Sequence, residues 1–494
     1  MKPKSQWAQS KKSIKAAPRG CKLSRRGFLS GCAACAAGLT GLSALGISAA
    51  KDQSSYPSEK AKVRLVFSHH REDAQGKQSE QGWPYLGYDL AKVRNETLEK
   101  LRKHCPNSEF LPTVAYSIED AQKILAGDKD QQIDGYLSYM LGGWAQAGVT
   151  FANSGKPTIY VGDLFGASGE ILVAIADAKR RGLKAFGVTS SSFDDVVQAV
   201  RCFESLKRLR SSKILDVGAD PGTLGKVIQE VFGTKVMPIT FEQLNEAYHK
   251  ADPAQSRQWA ENWIREAQRV VEPSQQEVEK SAAMYVAMRT LLTQQEAQAI
   301  TINCLGGFYG GKMEAYPCLG HFQLNNDGLV GACESDLIST ITMLLMGYLV
   351  GRPGYISDPV IDTSKNQIIY AHCVAPSKVF GPNGPANPYH IRSHSEDRKG
   401  AAIRSLMPLG EMTTTLEFNP DSRKVIIHQG KAVANINEDK ACRTKLAAEP
   451  KGDINKLLKF WDQWGWHRVT FYGDLKRPVE NITALLGFEI IEEA

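Results

Sequence analysis

From residue 63 to about 305 the chain alternates short apolar runs with turns and helical periods. VRLVFS (63–68) leads into a helical spacing of Leu90, Val93, Leu98 and Leu101. IDGYLSYM, PTIYVGD (157–163), LKAFGVT (183–189), KILDVGA (213–219), KVMPITF (235–241) and AITINCL (299–305) carry the strand texture onward. Helical stretches fall near 169–181, over 192–208 and from about 223, and a longer polar helical stretch spans 253–295. This alternation predicts parallel sheets with helices on both faces. After Gly351-Arg352-Pro353-Gly354 the period changes, and IIYAHCV, TTTLEFN and KVIIHQG alternate in strand fashion between Gly, Pro and Asn turns. The expected fold is α/β: two Rossmann-like parallel-sheet domains followed by a mostly antiparallel C-terminal β-barrel domain. The barrel is expected to be closed by a short helix near 453–461 and by HRVTFYG. The divisions are drawn at 62–168, 169–354 and 355–494, with 208–212 as an alternative break between the first two.

Charge separates the N-terminus from the rest. The chain is +7 overall, yet residues 1–50 hold nine Lys/Arg and no acid, so the remainder is −2. A near-neutral body argues against a nucleic-acid partner. The basic segment carries Arg25-Arg26 in LSRRGFLS, then the apolar run AACAAGLTGLSALGISAA. This resembles a twin-arginine export signal, cleaved near Ala50, with the translocase as a partner and an exported location. A short membrane anchor is the competing reading. Residues 51–61 read as a linker. The seven cysteines beyond residue 50 are scattered, with neither a zinc-ribbon spacing nor a disulfide framework.

The informative side chains are acids and histidines. Glu314 follows the glycine-rich GGFYGGKM; Glu334 and Asp336 sit where VGAC meets the apolar LISTITMLLMGYL. Ser335 or Asp336 can simply cap that helix. Acids at a strand's carboxyl end are also where ligands bind in α/β proteins. The i, i+2 spacing puts Glu334 and Asp336 on one side if strand geometry continues. His372 lies in a strand, where a satisfied core histidine is the default. His467 follows Trp461, Trp464 and Trp466, aromatic walls that suit a sugar face and equally suit a core. Carboxylates and imidazoles converging on one point make a site for a divalent cation. Arg392, His394 and Glu396 in PYHIRSHSEDRKG are candidate substrate-binding residues or a solvated turn. ILDVGADPGTLG (214–225) resembles loosely the first motif of S-adenosylmethionine methyltransferases, through Asp216, Gly218 and Gly222. His69 to Asp73, after the first strand, read as an active-site loop.

Together MEAYPCLG, the run from LNNDGLVGACESDL to GRPGYISDPV, AHCVAP, RSHSEDRKG and WHRVTFYGD resemble the L-fucose/L-arabinose isomerase superfamily, in a divergent, fucose-isomerase-like exported branch. The resemblance implies two Rossmann-like domains and a β-barrel, a bound Mn²⁺, interconversion of an aldose and a ketose, a small sugar substrate and a homo-oligomer. By motif position it implies metal ligation by Glu314, Glu334, Asp336, His372 and His467. Trp466 stands where the family usually has Asn or His, and with Arg392, His394 and Glu396 it is expected at the substrate. Glu314 and Asp336 are expected as base and acid on opposite faces of an ene-diol, with Glu334 as the substitute for Asp336. Two further functions fit the same residues: an exported sugar-binding protein of this fold without turnover, and an S-adenosylmethionine-dependent methyltransferase.

Overall fold

The computed structural model describes residues 59–494, so the segment read as an export signal and most of the expected linker lie outside the described residues. Five parallel strands form the first sheet: β1 (Ala61–Ser68), β2 (Ser108–Ala115), β3 (Gly135–Met140), β4 (Thr158–Gly162) and β5 (Ala185–Val188), in the order β2-β1-β3-β4-β5. Every residue of β4 is buried, and β3 nearly so, as strands covered by helices on both faces must be. The helix expected from the spacing of Leu90, Val93, Leu98 and Leu101 is present. Leu90–His104 starts at Asp89, whose carboxylate accepts from Lys92 N–H, and carries Arg102, Lys103 and His104 in its last turn.

Strands β6 (Lys213–Val217), β7 (Lys235–Ile239), β9 (Ala299–Ile302) and β10 (Val330–Cys333) form a second parallel sheet, ordered β10-β9-β6-β7; β8 (Arg269–Val270) stands apart from it. Because β5 pairs with β4, the chain changes sheets after Val188 rather than at 168, nearer the 208–212 alternative. The polar stretch 253–295 is not one helix. Pro273 interrupts it, leaving Pro253–Glu266 capped by Asp252 and Gln275–Gln295 capped by Ser274.

The last third is a closed barrel. It is built from β11 (Tyr355–Asp362), β12 (Gln367–His372), β15 (Met412–Asn419), β16 (Lys424–Asn435), β17 (Thr444–Pro450) and β18 (Arg468–Tyr472), with β13 (Tyr389–Arg392) and β14 (Ala402–Ser405) pairing aside with β8. The order β15-β18-β11-β12-β17-β16 returns to β15 through the β15–β16 pairing, so six antiparallel strands close on themselves. Two elements went unread in the sequence: the amphipathic helix Lys476–Leu486, and β19 (Glu489–Glu492), which adds in parallel to β16.

One helix joins the layers. Leu337–Val350 is almost wholly buried, begins at Asp336 and ends at Gly351, whose φ of 68° is the left-handed conformation a glycine stop adopts. It is pinned to the barrel where Phe418 N–H donates to Thr342 Oγ1 at 2.9 Å. Beyond β19, Glu493 is buried and receives Arg468 Nη2 at 2.7 Å and Nε at 3.0 Å, with His428 Nδ1 2.9 Å away. Arg468 in turn donates from Nη1 to the His467 carbonyl at 2.8 Å and lies over the Trp461 ring. Among the described residues no helix is long and apolar enough to cross a membrane.

Candidate metal centre

The site is built where β10 ends against the barrel. Strand geometry stops at Cys333: Glu334 (φ 65°) and Ser335 (φ 51°) are both left-handed, and Asp336 then opens the buried helix. Two consecutive non-glycine residues in that region cost about 1–3 kcal/mol each and need surrounding support. Ser335 N–H to Ile302 O and Asp336 N–H to Cys333 O, both 3.2 Å, supply it. The expectation that the i, i+2 pair shares a side through continued strand geometry is therefore corrected. The turn instead sends the two acids to opposite edges of one ring, with Asp336 Oδ2 2.9 Å from His467 Nδ1 and Glu334 Oε2 3.4 Å from its Nε2.

Barrel pairing supplies the rest. β11 lies between β12 and β18, with Asp358 opposite Ala371 and Ser357 opposite Arg468. His372 at the end of β12, Asp358 on β11 and His467 just before β18 thus emerge side by side. His372 Nε2 lies 3.8 Å from Glu334 Oε1 and 3.9 Å from Asp358 Oδ2, while His467 Nε2 lies 3.3 Å from Asp358 Oδ1. Ligand atoms of Glu334, His372 and His467 all fall within 4.8 Å of one another.

These residues fit a divalent cation. The side chains of His372 and His467 are only 4% and 6% exposed, and the Nε2 atom of each is buried without a hydrogen-bond partner. Leaving two such atoms unpaired is costly. Imidazole nitrogen with carboxylate oxygen suits a hard-to-borderline ion such as Mn²⁺ or Zn²⁺. Asp336 braces His467 from behind, the carboxylate–imidazole arrangement that orients histidine ligands. His372 differs: its Nδ1 accepts from Cys373 N–H at 3.0 Å, so ligation through Nε2 needs the other tautomer.

Charge is concentrated here. Burial alone would lower the His467 pKa, but Asp336, Asp358 and Glu334 around the ring reverse this and hold it up at about 12. Burial pushes the Asp336 and Asp358 carboxyls up, and their contacts with His467 bring both below the usual range. Glu417 behaves oppositely. Burial first, then the Asp336 charge, raise it well above a normal carboxyl. Ser339 Oγ lies 2.7 Å from Asp336 Oδ2 and 2.6 Å from Glu417 Oε1. A hydroxyl has one proton to give, so one of these acids must carry its own; it is Glu417.

Glu314, Arg392, His394 and Glu396 are engaged with partners outside this cluster. Glu314 is 49% exposed, with its carboxylate 3.5 Å from His249 Nε2 and its N–H toward Asn245. Arg392 is paired with Glu272 and Asp439, His394 with Asp397, and Glu396 with the Tyr309 hydroxyl. Trp466 is 67% exposed and donates from Nε1 to Asp358 Oδ1 at 2.7 Å. Asp336 serves both as helix cap, accepting Ser339 N–H at 2.9 Å, and as partner of His467. The 214–225 loop has a packing cause: a Cβ at Gly218 would strike the Phe241 ring at 2.2 Å. His69 donates to the His70 carbonyl and lies 2.9 Å from Arg94, whose guanidinium also pairs with Glu72. Sequence reasoning missed Asp358 and Glu417. The available signal was an acid inside an apolar strand, YISDPV and TLEF.

The class that fold and site define is an α/β protein with a closed β-barrel and a candidate divalent-cation centre at their seam. No family model matches the chain. It is similar to the sulfoquinovose isomerase of Priestia megaterium, 24% identical over 304 residues, 60% of this chain and 67% of that protein. The sulfoquinovose isomerase of Alkalicoccus urumqiensis is 20% identical over 305 residues, 59% of this chain and 67% of its own. That of Clostridium sp. is 24% identical over 310 residues, 59% of this chain and 66% of its own. A solved XylFII molecule, 12% identical, aligns with 51% of this chain and 85% of its own at a TM-score of 0.15, a likeness that carries no argument.

Proposed function

We propose that this protein is a sugar isomerase of carbohydrate metabolism, interconverting an aldose and a ketose at a divalent-cation centre, with Mn²⁺ as the first ion to test. The carrying observation is the convergence of Glu334, His372 and His467 from two layers of the fold onto one point. The similarity to sulfoquinovose isomerases supports the same reaction class and puts sulfoquinovose at the head of the substrate panel. A divalent cation held by Glu334, His372 and His467 would supply charge stabilisation at the reacting sugar oxygens. The protein's own task is to move a proton between neighbouring carbons, with one carboxyl as base and another as acid. Asp336 has both oxygens engaged by Ser339 and His467, so Glu334 takes the role expected of Asp336. Trp466, exposed beside the centre, offers a face for the sugar. The test is metal analysis of the purified protein combined with proton exchange from D₂O over a sugar panel. Exchange that depends on the cation supports the isomerase; a cation without exchange on any sugar rejects it.

A second reading is a sugar-binding protein without turnover. It is favoured by Glu314 standing outside the cluster, with its carboxylate facing His249. Sugar affinity without D₂O exchange selects it. Export by the twin-arginine route and a homo-oligomeric state are also proposed, the first from Arg25-Arg26 and the second from the family resemblance. N-terminal sequencing of the secreted protein and light scattering test them.

A further inference from the structure

Asp358 belongs to none of the expected ligand positions, yet its geometry mirrors that of Glu334. Each carboxylate straddles the two imidazoles. Glu334 reaches His467 Nε2 at 3.4 Å and His372 Nε2 at 3.8 Å; Asp358 reaches the same atoms at 3.3 and 3.9 Å. Glu334 comes from the α/β body and Asp358 from the barrel. The Nε2 atoms of the two rings between them are buried and have no hydrogen-bond partner, an observation independent of the acids. Asp336 does not compete for this place. Its Oδ1 accepts Ser339 N–H, and its Oδ2 faces Ser339 Oγ and His467 Nδ1, so it orients the ring from behind. Glu314 does not compete either, since it faces His249.

Trp466 sets the presentation of Asp358. Its indole N–H sits 2.7 Å from Oδ1, which leaves Oδ2 as the oxygen free to bind. We propose that Asp358 is the fourth protein donor to a divalent cation at this centre, opposite Glu334, and that Trp466 restricts it to one oxygen. Two carboxylates then neutralise the dication and two imidazoles complete the protein's share, leaving the remaining positions to small oxygen ligands.

This rests on the cation-centre reading, and the experiment separates the two. The full chain is stripped with chelator and titrated with Mn²⁺ by calorimetry, and with Co²⁺ by visible absorption. Wild type is expected to bind both; failure to bind either removes the centre itself. Given wild-type binding, Asp358→Asn is expected to raise the Mn²⁺ Kd by about 10–100-fold and to change the Co²⁺ band. A wild-type Kd and band in Asp358→Asn, with binding lost in Glu334→Gln, overturns the assignment. Trp466→Phe alters an exposed side chain and so tests the second half without a folding risk. It is expected to shift the Co²⁺ band as the second oxygen becomes available. An unchanged band overturns the role given to Trp466.

Discussion

Ser339 shows how much a single proton decides. Its hydroxyl bridges a charged acid and a neutral one, so the site depends on Glu417 keeping its hydrogen. Glu417→Gln is therefore expected to be nearly neutral, because the amide also donates. Ser339→Ala leaves a buried carboxyl unpaired and is expected to cost about 1–3 kcal/mol by urea unfolding. The reverse order would show Glu417 to be ionised. His467 yields a second prediction. Its pKa, raised from 6.5 to about 12 by Asp336, Asp358 and Glu334 against burial, means it enters cation binding protonated. A ligand must lose that proton, so affinity is expected to rise with pH through the neutral range. Calorimetry in two buffers of different ionisation heat reads the released proton; a heat independent of buffer contradicts it. The same shift stabilises the cation-free fold fully below about 6.5 and fades as pH climbs toward about 12. These residues also mark where sequence reading stopped. Glu334, Asp336, His372 and His467 stand out beside apolar runs. Asp358 and Glu417 do not, because an acid in an alternating strand ordinarily faces water, whereas here Asp358 faces His372 and His467 and Glu417 faces Ser339 of the buried helix.

At the level of elements, the turn Glu334–Ser335 and the helix that follows carry two duties on one residue. The cap reading and the functional reading of Asp336 looked like rivals in the sequence and are both realised, since the carboxylate has two oxygens. Asparagine keeps the cap and removes the charge behind His467. Asp336→Asn is expected to hold unfolding free energy within about 1 kcal/mol while weakening Mn²⁺ binding by about tenfold or more. Asp336→Ala is expected to lose both. Equal loss of stability in the two variants would deny the separation. Strands β1, β4 and β6 were legible because burial on both faces makes an apolar run. The Lys476–Leu486 helix and β19 were not, because their charged positions masked a partly buried face.

For the whole molecule, two layers of different architecture are joined at a charged seam, and the barrel half of that seam is anchored by Glu493. Burial would raise this carboxyl, but His428 and Arg468 hold it down at about 2 from 4.5. A depressed carboxyl stabilises the fold above its ordinary range, and that contribution is lost as pH falls from about 4.5 toward 2. The loss is on the order of 3 kcal/mol. Glu493→Gln should therefore lie below wild type at pH 7 and converge on it near pH 2, read by urea unfolding at several pH values; parallel curves would refute this. The wiring has a practical side as well. Arg468 carries the pull of Glu493 to the carbonyl of His467. Replacing Glu493 is expected to disturb ion binding more than any substitution of comparable size on an outer loop.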